Sequence, residues 1–323
     1  MSIIKNFVGA AFAAATFAGA VSAETWDMPT PYPDATFHTQ NIVEFAKDIA
    51  DSTNGALTIN VHSAGSLFKH PEISKAVRSG QVPIGEFFLS LLNNDNPAFG
   101  ADSLPFLATN YDDAARLWDA QRPAIETLLD EQGLMALYAV PWPPQGLYTN
   151  KEINSVDDLA GLKFRTYNST LETFATMAGA APTQVEVPDI PQAYSTGRVE
   201  AMITSPSTGV TSKAWDFVSH YTDIQAWIPK NIVVVNKRAF QRLDEATQTA
   251  VLEAAARAQD RGWAMSRAET DSQTATLADN GITVVTPSDA LMGGLRDIGS
   301  KMLDDWKASA GEAGETLLNA YNQ

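Results

Sequence analysis

Residues 161–172, GLKFRTYNSTLE, have the pattern of a strand followed directly by the start of a helix. The first half places aromatic and β-branched residues after a glycine, as strands do. In the second half Ser169 and Glu172 have the spacing of a capping box, and apolar residues then recur at helical intervals. Arg165 therefore comes at the carboxyl end of a strand, just before a helix begins, which is where open α/β sheets bind ligands.

A guanidinium at such a junction suits a carboxylate ligand. Its planar fork of donors can pair with two oxygens at once, and the amides of the following helix N-terminus add partial positive charge. The local pattern also fits an arginine that only covers a surface loop. The rest of the chain has to decide between these two interpretations of Arg165.

The remaining sequence alternates strands with helices and shows no internal repeat. Helices are predicted at 41–53, 71–79, 111–132 with a kink at Pro123, and 190–196; strands are predicted at 57–62, 82–89, 134–140, 183–187, 199–204 and 232–236. Asp244 opens an alanine-rich helical run that Asn280-Gly281 closes. This alternation predicts an α/β fold with a mainly parallel sheet in each of two lobes.

Residues 154–165, NSVDDLAGLKFR, closely resemble the segment around the ligand-carboxylate arginine of periplasmic solute-binding proteins of TRAP transporters, the DctP-type family. Further landmarks of that family are matched by residues 68–73, 82–86, 102–106, 193–201 and 233–237. The resemblance runs in order over essentially the whole mature chain. It implies that Arg165 anchors the ligand.

The resemblance also implies a two-lobed fold like that of periplasmic binding proteins, with a long helix spanning both lobes. The lobes are expected to be discontinuous, exchanging chain near Trp142 and again near Lys230. Lobe I is expected to comprise residues 24–142 plus about 231–270, and lobe II residues 143–230 plus about 271–323. About 300 mature residues are enough for two lobes.

The first residues have the features of a secretory signal peptide, expected at 1–23. Lys5 gives a positive start, an apolar stretch follows, and Val21-Ser22-Ala23 fits a cleavage site. The chain contains no cysteine, so no lipid anchor, disulfide or thiol nucleophile is expected. These features predict an exported, periplasmic protein.

The chain is strongly acidic. The formal net charge is −16, and removal of Lys5 with the signal would leave 21 basic against 38 acidic residues. Such a balance argues against nucleic acid and anionic membrane surfaces as partners. It also repels anionic ligands at long range, so a carboxylate site needs a local cation such as Arg165.

Catalytic and metal sites find little support in the sequence. The four histidines lack the spacing of a helical metal-binding pair, and no nucleophile elbow, phosphate-binding loop or dinucleotide fingerprint is present. We therefore expect no metal, no cofactor and no enzyme activity.

Two positions depart from the commonest pattern of the family. Gln145 stands where many members have a second arginine, and Thr204 or Ser205 stands where many have an asparagine. One cation fewer favours a ligand with one carboxylate. Aromatic residues at strand ends are expected to form apolar walls: Trp142, Phe88, Tyr32 and Trp227. Asn168, beside Arg165, completes the predicted ligand-binding set.

Together these features predict the solute-binding subunit of a TRAP transporter, which captures a small organic acid between its lobes and delivers it to the membrane permease subunits. The ligand is expected to be a monocarboxylate with an aromatic or apolar body. The alternative within the class is a binder of hydroxylated sugar acids such as aldonates or uronates. Outside the class, the alternatives are a periplasmic enzyme and a receptor that reports to a sensor kinase.

Overall fold

The computed structural model describes residues 23–323, so the predicted signal peptide lies outside the described residues apart from Ala23. Eleven strands are formed within that range: β1 Glu24–Pro29, β2 Leu57–His62, β3 Ile84–Phe88, β4 Leu134–Pro141, β5 Gly146–Thr149, β6 Lys163–Thr166, β7 Ala181–Gln184, β8 Ala201–Thr204, β9 His220–Thr222, β10 Lys230–Asn236 and β11 Thr283–Val285. The same residues form nine α-helices: α1 Phe37–Ser52, α2 His70–Arg78, α3 Tyr111–Glu131, α4 Ser169–Met177, α5 Ile190–Ser195, α6 Pro206–Thr211, α7 Lys237–Arg242, α8 Glu245–Asp279 and α9 Asp289–Tyr321. The strands and helices form the two-lobed α/β fold that the sequence predicts.

Lobe I contains two small sheets. Strands β1 and β2 pair in parallel, and β10 lies between β3 and β4, antiparallel to both. The prediction of a mainly parallel sheet is therefore wrong here, because β10 returns from the other lobe and enters the sheet in the opposite direction. The carboxyl ends of β3 and β4 still lie at one edge, since both run against the same central strand.

Lobe II contains one six-stranded sheet in the order β11-β9-β5-β8-β6-β7. Strands β7, β6 and β8 are parallel neighbours, whereas β5 runs antiparallel to both β8 and β9. Strand β11 pairs in parallel with β9, so five of the six strands run in one direction and only β5 opposes them, which confirms the predicted mainly parallel sheet in lobe II. Gly146 at the start of β5 pairs with Thr204 at the end of β8. Gln145, the residue before β5, therefore lies beside the carboxyl end of β8.

Two stretches of chain cross between the lobes side by side. The Trp142 N–H donates to the Pro229 carbonyl at 2.8 Å, and the Gln145 N–H donates to the Trp227 carbonyl at 3.1 Å. The pairing of β4 with β10 thus continues into the crossing as a two-stranded ribbon, which has the form of a hinge. The predicted lobe bounds agree with these crossings and stay a prediction.

Helix α8 has the predicted bounds and spans both lobes. Asp244 caps its first turn by accepting the Thr247 N–H at 2.9 Å. Its first half packs on α1 and β4 of lobe I, and its second half packs on α6 and β11 of lobe II. Gly262 allows the close approach to lobe I, because a Cβ at this position would lie 2.4 Å from a Val140 methyl group.

Helix α9 contacts elements of both lobes. Its start packs on residues 156–159 in lobe II, but its end packs on α3 and on residues 97–103 in lobe I. Gly311 interrupts the helical backbone between these parts, with φ of 57°. At the end of α9, Leu317 and Tyr321 join a core cluster with lobe I residues such as Leu104 and Leu117.

Candidate functional site

A small cavity lies between the lobes where the strand ends converge. About 340 Å³ of space at this position is free of protein atoms, and part of it is open to solvent. Aromatic and polar side chains from both lobes line it: Tyr32, His70, Phe88, Trp142, Gln145, Arg165, Tyr167, Glu186, Val187, Thr204 and Thr208. The combination of a narrow aromatic space with a few polar groups suits a small, partly polar ligand.

Arg165 is the buried cation of this cavity. It lies near the end of β6, is 1% exposed, and donates through Nε to the Val185 carbonyl at 2.9 Å. Its Nη1 is buried and has no hydrogen-bond partner within residues 23–323. Burial lowers the pKa of the guanidinium, although the nearby Glu186 carboxylate opposes that shift. A buried charge with an unpaired donor is costly, and a carboxylate would satisfy it in full.

The lobe I wall is fixed by a network of buried side chains. Asn231 Oδ1 accepts hydrogen bonds from the Tyr32 hydroxyl at 3.1 Å and from Trp142 Nε1 at 3.0 Å. Its Nδ2 donates to Glu86 Oε1 at 2.9 Å, and Glu86 Oε2 accepts from Thr30 at 2.6 Å. The two aromatic rings meet edge to face with centroids 5.0 Å apart. Their polar atoms are thus used within the protein, and the rings present apolar surface to the cavity.

A second aromatic pair joins the two lobes. The rings of Phe88 and Tyr167 meet edge to face at 5.2 Å. The Tyr167 hydroxyl accepts from Trp227 Nε1 at 3.0 Å and donates to Gln145 Oε1 at 3.3 Å. Burial raises the pKa of Tyr167, so the phenol keeps its proton at neutral pH. Gln145 Nε2 in turn donates to the Pro143 carbonyl at 2.9 Å, so both ends of this amide are bonded to protein.

An ion-pair partner also faces the cavity from lobe II. Glu186 follows β7, and its Oε2 lies 3.0 Å from Nδ1 of His70 in lobe I. Burial raises the pKa of the Glu186 carboxyl, but the hydrogen bond from His70 and the charge of Arg165 outweigh burial, so its pKa lies below the ordinary value. The cavity therefore contains one cation and one anion.

Six of the nine predicted ligand-binding residues line the cavity: Arg165, Gln145, Trp142, Thr204, Phe88 and Tyr32. Among these, Thr204 Oγ1 makes no side-chain hydrogen bond with the rest of the described chain, so it is available to a ligand. Gln145 is bonded to protein at both ends of its amide, and its NH₂ group keeps a second donor beyond the bond to Pro143.

The other three predicted residues lie outside the cavity lining, and each has a structural partner instead. Ser205 caps α6 by accepting the Thr208 N–H at 3.1 Å. Asn168 caps α4, one residue earlier than the predicted Ser169, and its Nδ2 donates to Ser90 across the lobes at 2.7 Å. Trp227 lies behind Tyr167 with its ring against Phe174. That these three residues contact the ligand stays a prediction.

Five lining residues were not in the predicted set: His70, Tyr167, Glu186, Val187 and Thr208. Tyr167 lies two positions after Arg165, and that spacing could have placed both on one face of a strand. His70 belongs to a family landmark at residues 68–73 but has no motif of its own. Glu186 and Val187 follow a strand that ends at Gln184, earlier than predicted, so the prediction kept them inside the strand.

Within residues 23–323, no group of three or more His, Asp or Glu side chains is placed to hold a metal ion. None of the helices in that range combines the length and apolarity that crossing a bilayer requires.

The fold and the site together define a two-lobed binding protein for a small anionic solute. The chain belongs to the DctP family, the bacterial extracellular solute-binding proteins of family 7, whose sequence pattern matches residues 30–307. It is a solute-binding protein of the kind that serves TRAP transporters, and the recognition made from residues 154–165 is confirmed.

Similar proteins of known structure agree in fold. DctP7 of Bordetella pertussis, an extracytoplasmic solute receptor that binds pyroglutamic acid, is 46% identical, with a TM-score of 0.92 over 93% of this chain and 100% of that one. A marine metagenome TRAP protein with co-purified pyroglutamate is 41% identical, with a TM-score of 0.91 over 93% and 99%. By sequence, the chain is also similar to the C4-dicarboxylate-binding periplasmic protein DctP of Rhodobacter capsulatus, which is 25% identical over 239 residues, 72% of this chain and 70% of that one.

Proposed function

We propose that this protein captures pyroglutamate, or a monocarboxylate of the same compact ring shape, in the periplasm and delivers it to TRAP permease subunits. The observation that carries the proposal is the unpaired, buried Nη1 of Arg165 in a small cavity with aromatic walls. The unpaired Nη1 donor favours one carboxylate on the ligand, and the aromatic walls favour a compact ligand body.

The ligand would bind with its carboxylate on Arg165 and its ring between the two aromatic pairs. Tyr32 and Trp142 form one side, and Phe88 with Tyr167 forms the other. Thr204 Oγ1 offers a hydrogen bond to a ring substituent. The hinge formed by residues 141–145 and 226–230 would let the lobes open and close around the ligand.

The relatives narrow the predicted ligand class. Pyroglutamate, which the Bordetella pertussis and marine proteins bind, has one carboxylate, as the absence of a second arginine at Gln145 predicts. Its ring is compact and carries an amide, so we propose it in place of the larger aromatic body. A sugar acid would bring several hydroxyls into a cavity in which Tyr32, Trp142 and Tyr167 already use their polar atoms within the protein.

The proposal is tested by calorimetry on protein that has been unfolded and refolded to remove co-purified ligand. We expect tight binding of pyroglutamate and much weaker binding of galacturonate, galactonate and succinate. A preference for a sugar acid would establish the alternative ligand class. Conversion of a bound compound to a product, followed by mass spectrometry, would replace the transport role with an enzymatic one.

A further inference from the structure

Glu186 and His70 form a contact that crosses the cavity from one lobe to the other. His70 begins α2 in lobe I, and Glu186 follows β7 in lobe II. The distance of 3.0 Å between Nδ1 and Oε2 is that of a hydrogen bond. Both side chains line the same cavity as Arg165, so a ligand held by Arg165 meets this pair.

The contacts of His70 define where its proton lies. The Phe88 backbone N–H donates to Nε2 at 3.0 Å, so Nε2 carries a lone pair. Nδ1 must then carry the proton and donate it to Glu186. The Tyr32 ring packs edge-on against the imidazole, with centroids 5.6 Å apart. His70 therefore holds the Glu186 carboxylate in place from the opposite lobe.

The charges in the cavity favour one kind of anion. Arg165 and Glu186 balance each other, so a ligand with one carboxylate adds a single negative charge to a neutral site. A second carboxylate on the ligand would lie near Glu186 in a buried space, where like charges repel strongly. A carboxylate accepts hydrogen bonds and donates none. Glu186 is therefore suited to a ligand group that carries an N–H.

We propose that Glu186, positioned by His70, determines specificity: it accepts the ring N–H of the ligand and excludes a second carboxylate. This inference rests on the proposed function, since it assigns the amide of a pyroglutamate-like ring to Glu186 and its carboxylate to Arg165. A ligand that carries both a carboxylate and an N–H would bind Arg165 and Glu186 of lobe II, and Glu186 is in turn bonded to His70 of lobe I.

The direct test compares pyroglutamate with its lactone counterpart, in which a ring oxygen replaces the N–H. The wild-type protein should bind the lactam at least about 100-fold more tightly, because a site built to accept an N–H leaves an acceptor unpaired with the lactone. Glutarate, with two carboxylates, should bind more weakly still. This comparison needs no variant and is therefore independent of any folding defect.

The Glu186→Gln variant tests whether Glu186 causes the preference for the lactam over the lactone. The glutamine oxygen can take the His70 hydrogen bond, which directs the amide NH₂ toward the ligand. The lactam-to-lactone ratio should fall by about tenfold or more, and glutarate should gain affinity. Glu253→Gln, which changes an exposed carboxylate on α8, is the matched control and should keep the wild-type ratio.

His70 is tested as a positioning residue by the same ratio. His70→Asn keeps a donor near the place of Nδ1 and should preserve most of the lactam preference, whereas His70→Ala should lose it. Wild-type protein that binds neither compound would overturn the proposed function and, with it, this inference. Wild-type protein that binds lactam and lactone equally well would overturn the inference alone and leave the proposed function intact.

Discussion

The two lobes contribute walls of opposite character to the cavity. On the lobe I side, Tyr32, Trp142 and Asn231 satisfy one another, and the wall presents shape without free donors. On the lobe II side, Arg165 keeps a buried donor without a partner among the described residues. A satisfied network fixes a surface, whereas an unsatisfied buried cation favours any ligand that can pair with it. The comparison predicts different costs for mutations in the two walls.

The largest effect is expected from removing the unsatisfied cation. Arg165→Ala should reduce ligand affinity by about 100-fold or more, a loss of roughly 3 kcal/mol, because the carboxylate loses its charged partner in a buried site. Arg165→Lys should also bind poorly, since an ammonium cannot reproduce the fork. Calorimetry measures both variants, and Arg242→Ala, an exposed arginine on α7, serves as the control. Unchanged affinity in Arg165→Ala would show that the lobe II wall does not anchor the ligand.

Breaking the satisfied wall should affect folding more than binding chemistry. Asn231→Ala would leave the Tyr32 hydroxyl and Trp142 Nε1 without their acceptor and would remove one of the hydrogen bonds of Glu86. Each buried orphan costs roughly 1–3 kcal/mol, so we expect the free energy of unfolding to fall by about 3 kcal/mol. Chemical unfolding followed by circular dichroism measures this loss. The exposed Asn94→Ala variant should unfold like the wild type, and equal stability of Asn231→Ala would contradict the network.

The same contrast explains how much of the site could be predicted from sequence. The place of Arg165 at a strand end was predictable because a strand end and a helix start adjoin within residues 161–172, whereas its role as ligand anchor came from the resemblance of residues 154–165 to the TRAP family. Helix α8 was also predictable from local patterns, with Asp244 and Asn280-Gly281 at its ends. The His70–Glu186 contact joins residues 116 positions apart, and no local pattern encodes that distance.

Other departures from the prediction also have physical causes. The side chains of Ser205 and Asn168 can serve either as ligand-binding groups or as helix N-caps. In the structure each accepts a hydrogen bond from a backbone N–H in the first turn of the following helix. Helix α9 was not predicted, because its five glycines weaken helix propensity over residues 289–321. Strand β5 has only four residues, and prolines at 141, 143 and 144 obscure its start.

A smaller effect is expected where the two walls meet. Tyr167→Phe keeps the ring against Phe88 but removes the hydroxyl that joins Trp227 to Gln145. Stability should fall by about 1–2 kcal/mol, because Trp227 Nε1 loses its acceptor, while ligand affinity changes by less than about tenfold. Chemical unfolding and calorimetry on the same preparation separate the two effects. A loss of binding as large as that of Arg165→Ala would assign the hydroxyl to the ligand instead.

The smallest effect concerns the fall in the free energy of unfolding at acidic pH, to which Glu186 contributes. Its pKa in the folded protein lies below the ordinary value of 4.5. Its stabilising contribution is therefore fully present above about pH 4.5, and it is lost as the pH falls through the lower, folded-state pKa. Between these two pKa values the unfolded chain binds more protons than the folded one. Glu186→Gln should therefore show a shallower decline of stability below pH 4.5 than the wild type, when ligand-free protein is unfolded in urea at a series of pH values. Glu253→Gln gives the background slope. Equal slopes for wild type and Glu186→Gln would mean that the contact with His70 and the charge of Arg165 do not hold this carboxylate in its ionised form.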